Sequence, residues 1–446
     1  MARTVFNGTT GADTYTAPVA TDNYVAYGYA GNDTMTGGDL YDQLFGGNGK
    51  DSLDGGAGGD RLYGDAGNDT VIGGLGNDSL SGGAGNDTVS YASDTVGVTV
   101  NLSTQIMSGG NSGTDLISSF ENVIGGSGND NLTANGTGSS LEGGDGTDVL
   151  ISGAGVDTLV GGNGNDTYYV DSASDIVSET ATTLSNDTIN SSVNIVALAA
   201  NVENLTLTGS AVTGTGNDLA NSIIGNSASN ILDGGSAGND SISSGLGADQ
   251  INGGTGDDVL SGDSGLDSMI GGAGNDTLTG GADSDTFIFE SSGNNGKDTI
   301  VDFATGTDTL DLSAIFPLGA VINIYLSAIA PDSTANRLDF VDVITTNGLS
   351  SIFTIGGTHN LGFGDVLGDT TGNANVAAFL NDHFTGNSST TDTDVGVFIL
   401  NIVGTAYMYQ WDNDTTANVI QGTELSLIGV ITGTVAGTDI LLLTGP

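Results

Sequence analysis

The chain has 446 residues, with 54 acidic side chains against 5 basic ones, a formal net charge of −49 and no cysteine. That balance repels nucleic acid and anionic membrane surfaces and attracts divalent cations, and the missing thiols exclude disulfides and thiolate metal sites. No run of about 20 apolar residues is present, which excludes a transmembrane helix, and low hydrophobicity with so much charge keeps a chain disordered until the charge is neutralised.

Residues 1–27 carry one degenerate unit, NGTTGADTYT, with Asp13, followed by a tyrosine-rich segment. They read as a cap or contact segment in front of the regular chain. From Gly28 to Ser90 the sequence is seven nine-residue units end to end, among them GGNGKDSLD, GDAGNDTVI and GGLGNDSLS. Asp occupies the sixth place of each: Asp33, Asp42, Asp51, Asp60, Asp69, Asp78 and Asp87. An apolar residue occupies the eighth: Met35, Leu44, Leu53, Leu62, Val71, Leu80 and Val89.

Glycines at the first, second and fourth places permit positive φ and close backbone approach, so the first six residues read as turn. The last three, with one apolar side chain turned inward, read as a short strand. Two units make an 18-residue coil, and strands one coil apart stack in parallel at roughly 4.8 Å. Stacking puts Asp33, Asp51, Asp69 and Asp87 in one column and Asp42, Asp60 and Asp78 in another. Such columns repel unless a cation sits between turns, and calcium, which takes 6–8 oxygens in tolerant geometry, suits them. A flexible glycine-rich linker has no reason to keep an aliphatic residue two places after every Asp.

This nonapeptide resembles the calcium-binding repeat of RTX proteins. The resemblance implies that each ion lies between two same-side turns, held by the two Asp carboxylates and by glycine-turn carbonyls. It also implies secretion by a type I system. The expected fold is all-β: a parallel β-roll in successive blocks, followed by a mainly antiparallel C-terminal β domain.

Further along, 91–124 breaks the nonapeptide while keeping strand alternation and reads as a β spacer. A second block, 125–178, places Asp130, Asp148, Asp157, Asp166 and Asp175 at the sixth place, with Ser139 where one ligand is lost. Residues 179–215 read as another spacer. The third block, 216–289, opens with Asn221 and Asn230 in the Asp place, neutral turns expected to be metal-free. Asp240, Asp249, Asp258, Asp267, Asp276 and Asp285 then restore the pattern. Same-side aspartates 18 apart give about twelve core sites.

Residues 290–316 resemble the segment that closes RTX rolls, with Phe287 and Phe289 just ahead of it. Alternating and apolar runs fill 317–446, which reads as the antiparallel domain with a C-terminal secretion signal. The opening residues lack an apolar stretch of the Sec type, so an extracellular setting is expected through the C-terminal route.

No catalytic chemistry is expected. GGSAG at Gly234–Gly238 and GDSG at Gly262–Gly265 imitate serine-hydrolase strings but fall inside nonapeptide turns, whereas a nucleophile elbow needs a strand before and a helix after. His359 and His383 stand without ligand spacing, and Trp411 reads as core. The expected role is a secreted calcium-binding structural protein whose partner is a second copy of itself, joined head to tail. The alternatives are an adhesin directed at a cell-surface glycan, or a hydrolase with its site in 317–446.

Overall fold

The computed structural model describes residues 3–17, 22–180, 185–289, 298–303 and 308–311, and beyond these only the backbone of short strand segments between 322 and 443. The chain divides into two compact units, residues 1–211 and 212–446.

In the first unit, two stacks of parallel strands alternate along the chain. One runs through Arg3–Asn7, Asn23–Ala30, Gln43–Asn48, Arg61–Ala66 and Ser79–Ala84. The other runs through Thr14–Thr16, Thr34–Thr36, Ser52–Asp54, Thr70–Ile72 and Thr88–Ser90. Each strand pairs with the one a coil away, so the eighth places fall into register: Leu44 with Leu62 and Leu80, Met35 with Leu53, Val71 and Val89. All of these are at most 1% exposed. Burying such a side chain contributes about 1.5–3 kcal/mol, and this apolar file between the stacks is the core.

The nonapeptide places differ from expectation in two ways. Gln43–Asn48, Arg61–Ala66 and Ser79–Ala84 of the first stack are six residues long and run on into the first three places of the next unit, whereas Ser52–Asp54 and Thr70–Ile72 of the second have the three-residue strand. In residues 28–90 positive φ is confined to the second and fourth places, as at Gly47 (107°) and Gly49 (141°). Tyr29, Asp65 and Asp263 take the second place at φ of 61–72°. The first-place glycine is needed for space: a Cβ on Gly46 would meet the Asp51 carboxylate and the Gly64 carbonyl.

Within 91–124 the stacking continues. Leu116–Ser118 pairs with Ser79–Ala84, and Asn122–Gly126 pairs with Thr88–Ser90. The extra residues form a hairpin strand, Ile106–Gly109, antiparallel to Val98–Asn101. Parallel rungs then follow to Ile176–Ser178 on one side and Asn204–Leu207 on the other.

The second unit repeats the arrangement. Ser222–Ile224, Ser241–Ser243, Val259–Ser261, Thr277–Thr279 and Asp298–Ile300 form one stack. Thr213–Thr215, Ile231–Asp233, Gln250–Thr255, Ser268–Ala273, Thr286–Ile288 and Thr309–Asp311 form the other. Phe287, Phe289, Ile300, Phe303 and Leu310 are buried at its last rungs, with the Phe287 and Phe303 rings 6.1 Å apart. The described chain is thus an all-β parallel β-solenoid in both units. The antiparallel domain expected over 317–446, with His359, His383 and the side chain of Trp411, lies outside the described residues.

Candidate metal centre

Each sixth-place Asp ends a turn and begins a strand, so its side chain is carried to the stack edge and turned back under its own turn. Two different tasks fall on its two carboxylate oxygens. Oδ1 accepts the backbone N–H of the residue one coil back: Asp33 donates to Asp51, Asp51 to Asp69 and Asp69 to Asp87, each at 2.8 Å. The other column runs from Tyr24 through Asp42 and Asp60 to Asp78 at 2.6–2.7 Å. Corresponding bonds link Asp130, Asp148 and Asp166, then Ser139, Asp157 and Asp175. In the second unit they link Asn221, Asp240, Asp258 and Asp276, and Asn230, Asp249, Asp267 and Asp285. The structure thus assembles all eighteen expected aspartates into columns. Asp175 alone among them is half-buried and the rest are buried.

Oδ2 is left over. It is buried without a hydrogen-bond partner in every one of these aspartates except Asp42, Asp130, Asp157 and Asp175. Those four begin or end a run of aspartates within a column, and their Oδ2 instead accepts an N–H from Gly38, Gly126, Gly153 and Ser172 respectively. In the regular turns the orphaned Oδ2 and the carbonyl of the first-place glycine one coil on border the same space beside the first-place glycine of the unit, as Asp51 Oδ2 and the Gly64 carbonyl do at Gly46, and Asp69 Oδ2 and the Gly82 carbonyl at Gly64. A buried carboxylate oxygen beside a backbone carbonyl is a repulsive pair that no protein donor relieves, and an unpaired buried charge is among the most destabilising groups a fold can hold.

The acidities register this. Asp60, Asp148 and Asp240 are pushed up to about 7, chiefly by burial, against the lowering by the backbone N–H, with neighbouring carboxylates adding to the rise. Asp69, Asp166, Asp258 and Asp267 rise to about 6 for the same reasons. The donor set of hard carboxylate and carbonyl oxygens fits calcium. The orphaned Oδ2 atoms and first-turn carbonyls are the groups that would hold it, and the ion would supply the positive charge the columns lack.

Nonapeptide counting missed several acidic residues that continue the columns. Asp78 donates its N–H to Asp115, Asp87 to Glu121, Asp166 to Asp187 and Asp187 to Glu203, at 2.7–2.9 Å. Asp276 and Asp285 donate to Asp298 and Asp308 at 3.1 Å. A signal was present: each has a buried apolar residue two places on, namely Ile117, Val123, Ile189, Leu205, Ile300 and Leu310.

The neutral turns behave differently. Asn221 and Asn230 turn their Oδ1 to the N–H of Asn217 and Asn226, at 2.8 and 2.9 Å. Ser139 Oγ accepts the Asn135 N–H at 3.1 Å. Of the hydrolase-like serines, Ser236 donates to Asp218, and Ser264 lies in a bridge between Leu246 and Ala282.

Compared with known families, the chain matches the RTX calcium-binding nonapeptide repeat (four copies) over residues 27–62, 54–89, 140–177, 215–251, 225–260, 235–269 and 261–291. No curated protein matches the chain. The fold and the columns define a calcium-binding β-roll. The matched repeats are RTX calcium-binding nonapeptides, and they form coils of the β-solenoid in both units.

Proposed function

We propose that this is a secreted, non-catalytic structural protein whose β-roll folds on calcium and joins other copies into an extracellular filament, layer or matrix. RTX repeats suggest secretion, and weak calcium sites of this kind fill at extracellular rather than cytosolic calcium. The observation that carries the assembly reading is the outermost described rung of the first unit. Arg3–Asn7 and Thr14–Thr16 each pair on one side only among the described residues, and Val5 there is 53% exposed. An unpaired parallel edge accepts a further strand. Edges at unlike ends favour head-to-tail contact, which gives a ring if the rotation closes and an open polymer if it does not. We further propose that 317–446 forms the antiparallel β domain and carries the type I signal.

Charge sets the order of events. Calcium in the columns leaves much of the −49 in place, so side-by-side contact needs more calcium than folding does. Light scattering and electron microscopy across a calcium titration test the proposal. Growth of particles above the calcium level that completes folding is expected, and a folded chain that stays monomeric at high protein and calcium concentration would overturn it.

A further inference from the structure

At Gly161 the first unit departs from the regular turn by bringing in a further carboxylate. At Gly28, Gly46, Gly55, Gly64, Gly125 and Gly143 the space beside the first-place glycine is bounded by the Asp Oδ2 of the same unit and a glycine carbonyl one coil on. At Gly161 the residue one coil on is Glu179, and the bounding atoms are Asp166 Oδ2, Glu179 Oε1 and the Tyr168 hydroxyl. Carboxylate oxygens of Asp166, Glu179 and Asp187 all lie within 4.8 Å of one another. The Tyr168 hydroxyl donates to Glu179 from the buried eighth place.

Crowding of three acids is not by itself a site. Here, however, Asp166 is 1% exposed and its Oδ2, aimed into the same space, has no hydrogen-bond partner. Its other oxygen is held by the Asp148 N–H at 2.8 Å, which fixes the carboxylate in place. A Gly161 with any side chain would fill the cradle. Neither Glu179 nor Asp187 falls within the matched repeats, the nearest of which stops at residue 177.

We propose that Asp166, a sixth-place Asp, forms with Glu179 and Asp187 from outside the matched repeats a carboxylate-rich cation site that takes calcium before any other site in the first unit. The reasoning rests on the calcium reading above and extends it. Regular turns offer an orphaned Asp oxygen and a backbone carbonyl, whereas this one substitutes a third charged carboxylate for the carbonyl, and calcium affinity rises with the charge of the ligand set. An ion held there ties two strand starts, Thr167–Val170 and Thr188–Ser191, to the end of a third strand, Ile176–Ser178, through Glu179. Filling it first would order the far end of the second block before its weaker turns load.

The test is a calcium titration of the full chain, followed by calorimetry, with Glu179→Gln and, as a control of equal charge change, Glu142→Gln. Glu142 is exposed on an outward strand position. Wild type and Glu142→Gln should show a first equivalent tighter than the remainder by about tenfold or more, and Glu179→Gln should lose it while the later sites still fill. A tight first equivalent that survives in Glu179→Gln, or a wild type with no distinct first equivalent, would overturn the site and leave the repeat turns untouched. Absence of any calcium binding would instead remove the underlying reading. Should Glu179→Gln fail to fold, terbium serves as a probe in Tyr168→Phe. The first ion's tyrosine-sensitised emission should disappear there, and its persistence at wild-type strength would contradict the assignment.

Discussion

Asp69 and Asn221 hold the same place in the nonapeptide, are both buried, and sit in the same kind of parallel column. They differ in what is left over. Asn221 turns its Oδ1 to the Asn217 N–H, so its turn closes within the protein. Asp69 uses Oδ1 for the Asp51 N–H and keeps Oδ2 buried with no partner, next to the Gly82 carbonyl. The backbone path therefore tolerates a neutral side chain at the sixth place, and the repeated carboxylate is there for something other than the path. The Asp-rich turns are incomplete without a cation and the Asn-rich turns are complete, which separates calcium-dependent coils from calcium-independent ones.

The largest effect is expected from Asp69→Ala. It removes an orphaned oxygen and the acceptor for Asp51, and should raise the calcium midpoint of folding by on the order of tenfold, since even partners of metal ligands are worth that much. Ser139→Ala, at a turn whose oxygen is already used by Asn135, should move the midpoint less than about twofold. Asp69→Asn sharpens the contrast, because it keeps the shape and removes the charge: it should fall with Asp69→Ala, and a wild-type midpoint would show that charge is dispensable. Circular dichroism at fixed protein concentration reads all three.

A second, intermediate effect is on pH. In the metal-free chain the folded-state acidities of Asp60, Asp148 and Asp240 lie near 7 and those of Asp69, Asp258 and Asp267 near 6. An unfolded Asp titrates near 4. The folded state therefore binds more protons, and its stability is highest below about pH 4 and is lost as the pH rises through 6 to 7. Acidifying the calcium-free chain should increase its β-sheet signal, whereas acidifying the calcium-loaded chain should release ions. A calcium-free chain that loses structure between pH 7 and 5 would contradict the burial argument.

The smallest effect tests the neutral side of the comparison. Asn221→Asp places a carboxylate one coil before Asp240, whose Oδ1 accepts its N–H at 2.7 Å. Equilibrium dialysis should find one further bound calcium, with the calcium-loaded fold unchanged. Unaltered stoichiometry would mean that the charge at the sixth place does not by itself make a site.

Much of this arrangement is legible in the nine-residue count, because within the blocks the column Asp and the inward apolar residue recur at fixed places. The coil of 18 residues, the inward file of Leu44, Leu53, Leu62 and Val71, and the column membership of the eighteen aspartates all follow from that spacing. What the count obscures is the column across irregular segments. Asp115, Asp187 and Asp298 lie 37, 21 and 22 residues beyond their donors, since loops of any length can intervene once the strand start is in register. The durable signal is the acid followed two places on by an apolar residue, which is the part that packs. The split of work between Oδ1 and Oδ2, and the side chain of Glu179 beside Gly161, depend on three-dimensional geometry that no linear spacing carries.

The central claim is that the aspartate columns make folding conditional on calcium, and far-ultraviolet circular dichroism at neutral pH measures it directly. In chelator the chain should lack its β-sheet spectrum, and added calcium should restore it cooperatively and reversibly. A full β-sheet spectrum in chelator at pH 7, unchanged when calcium is added, would contradict it.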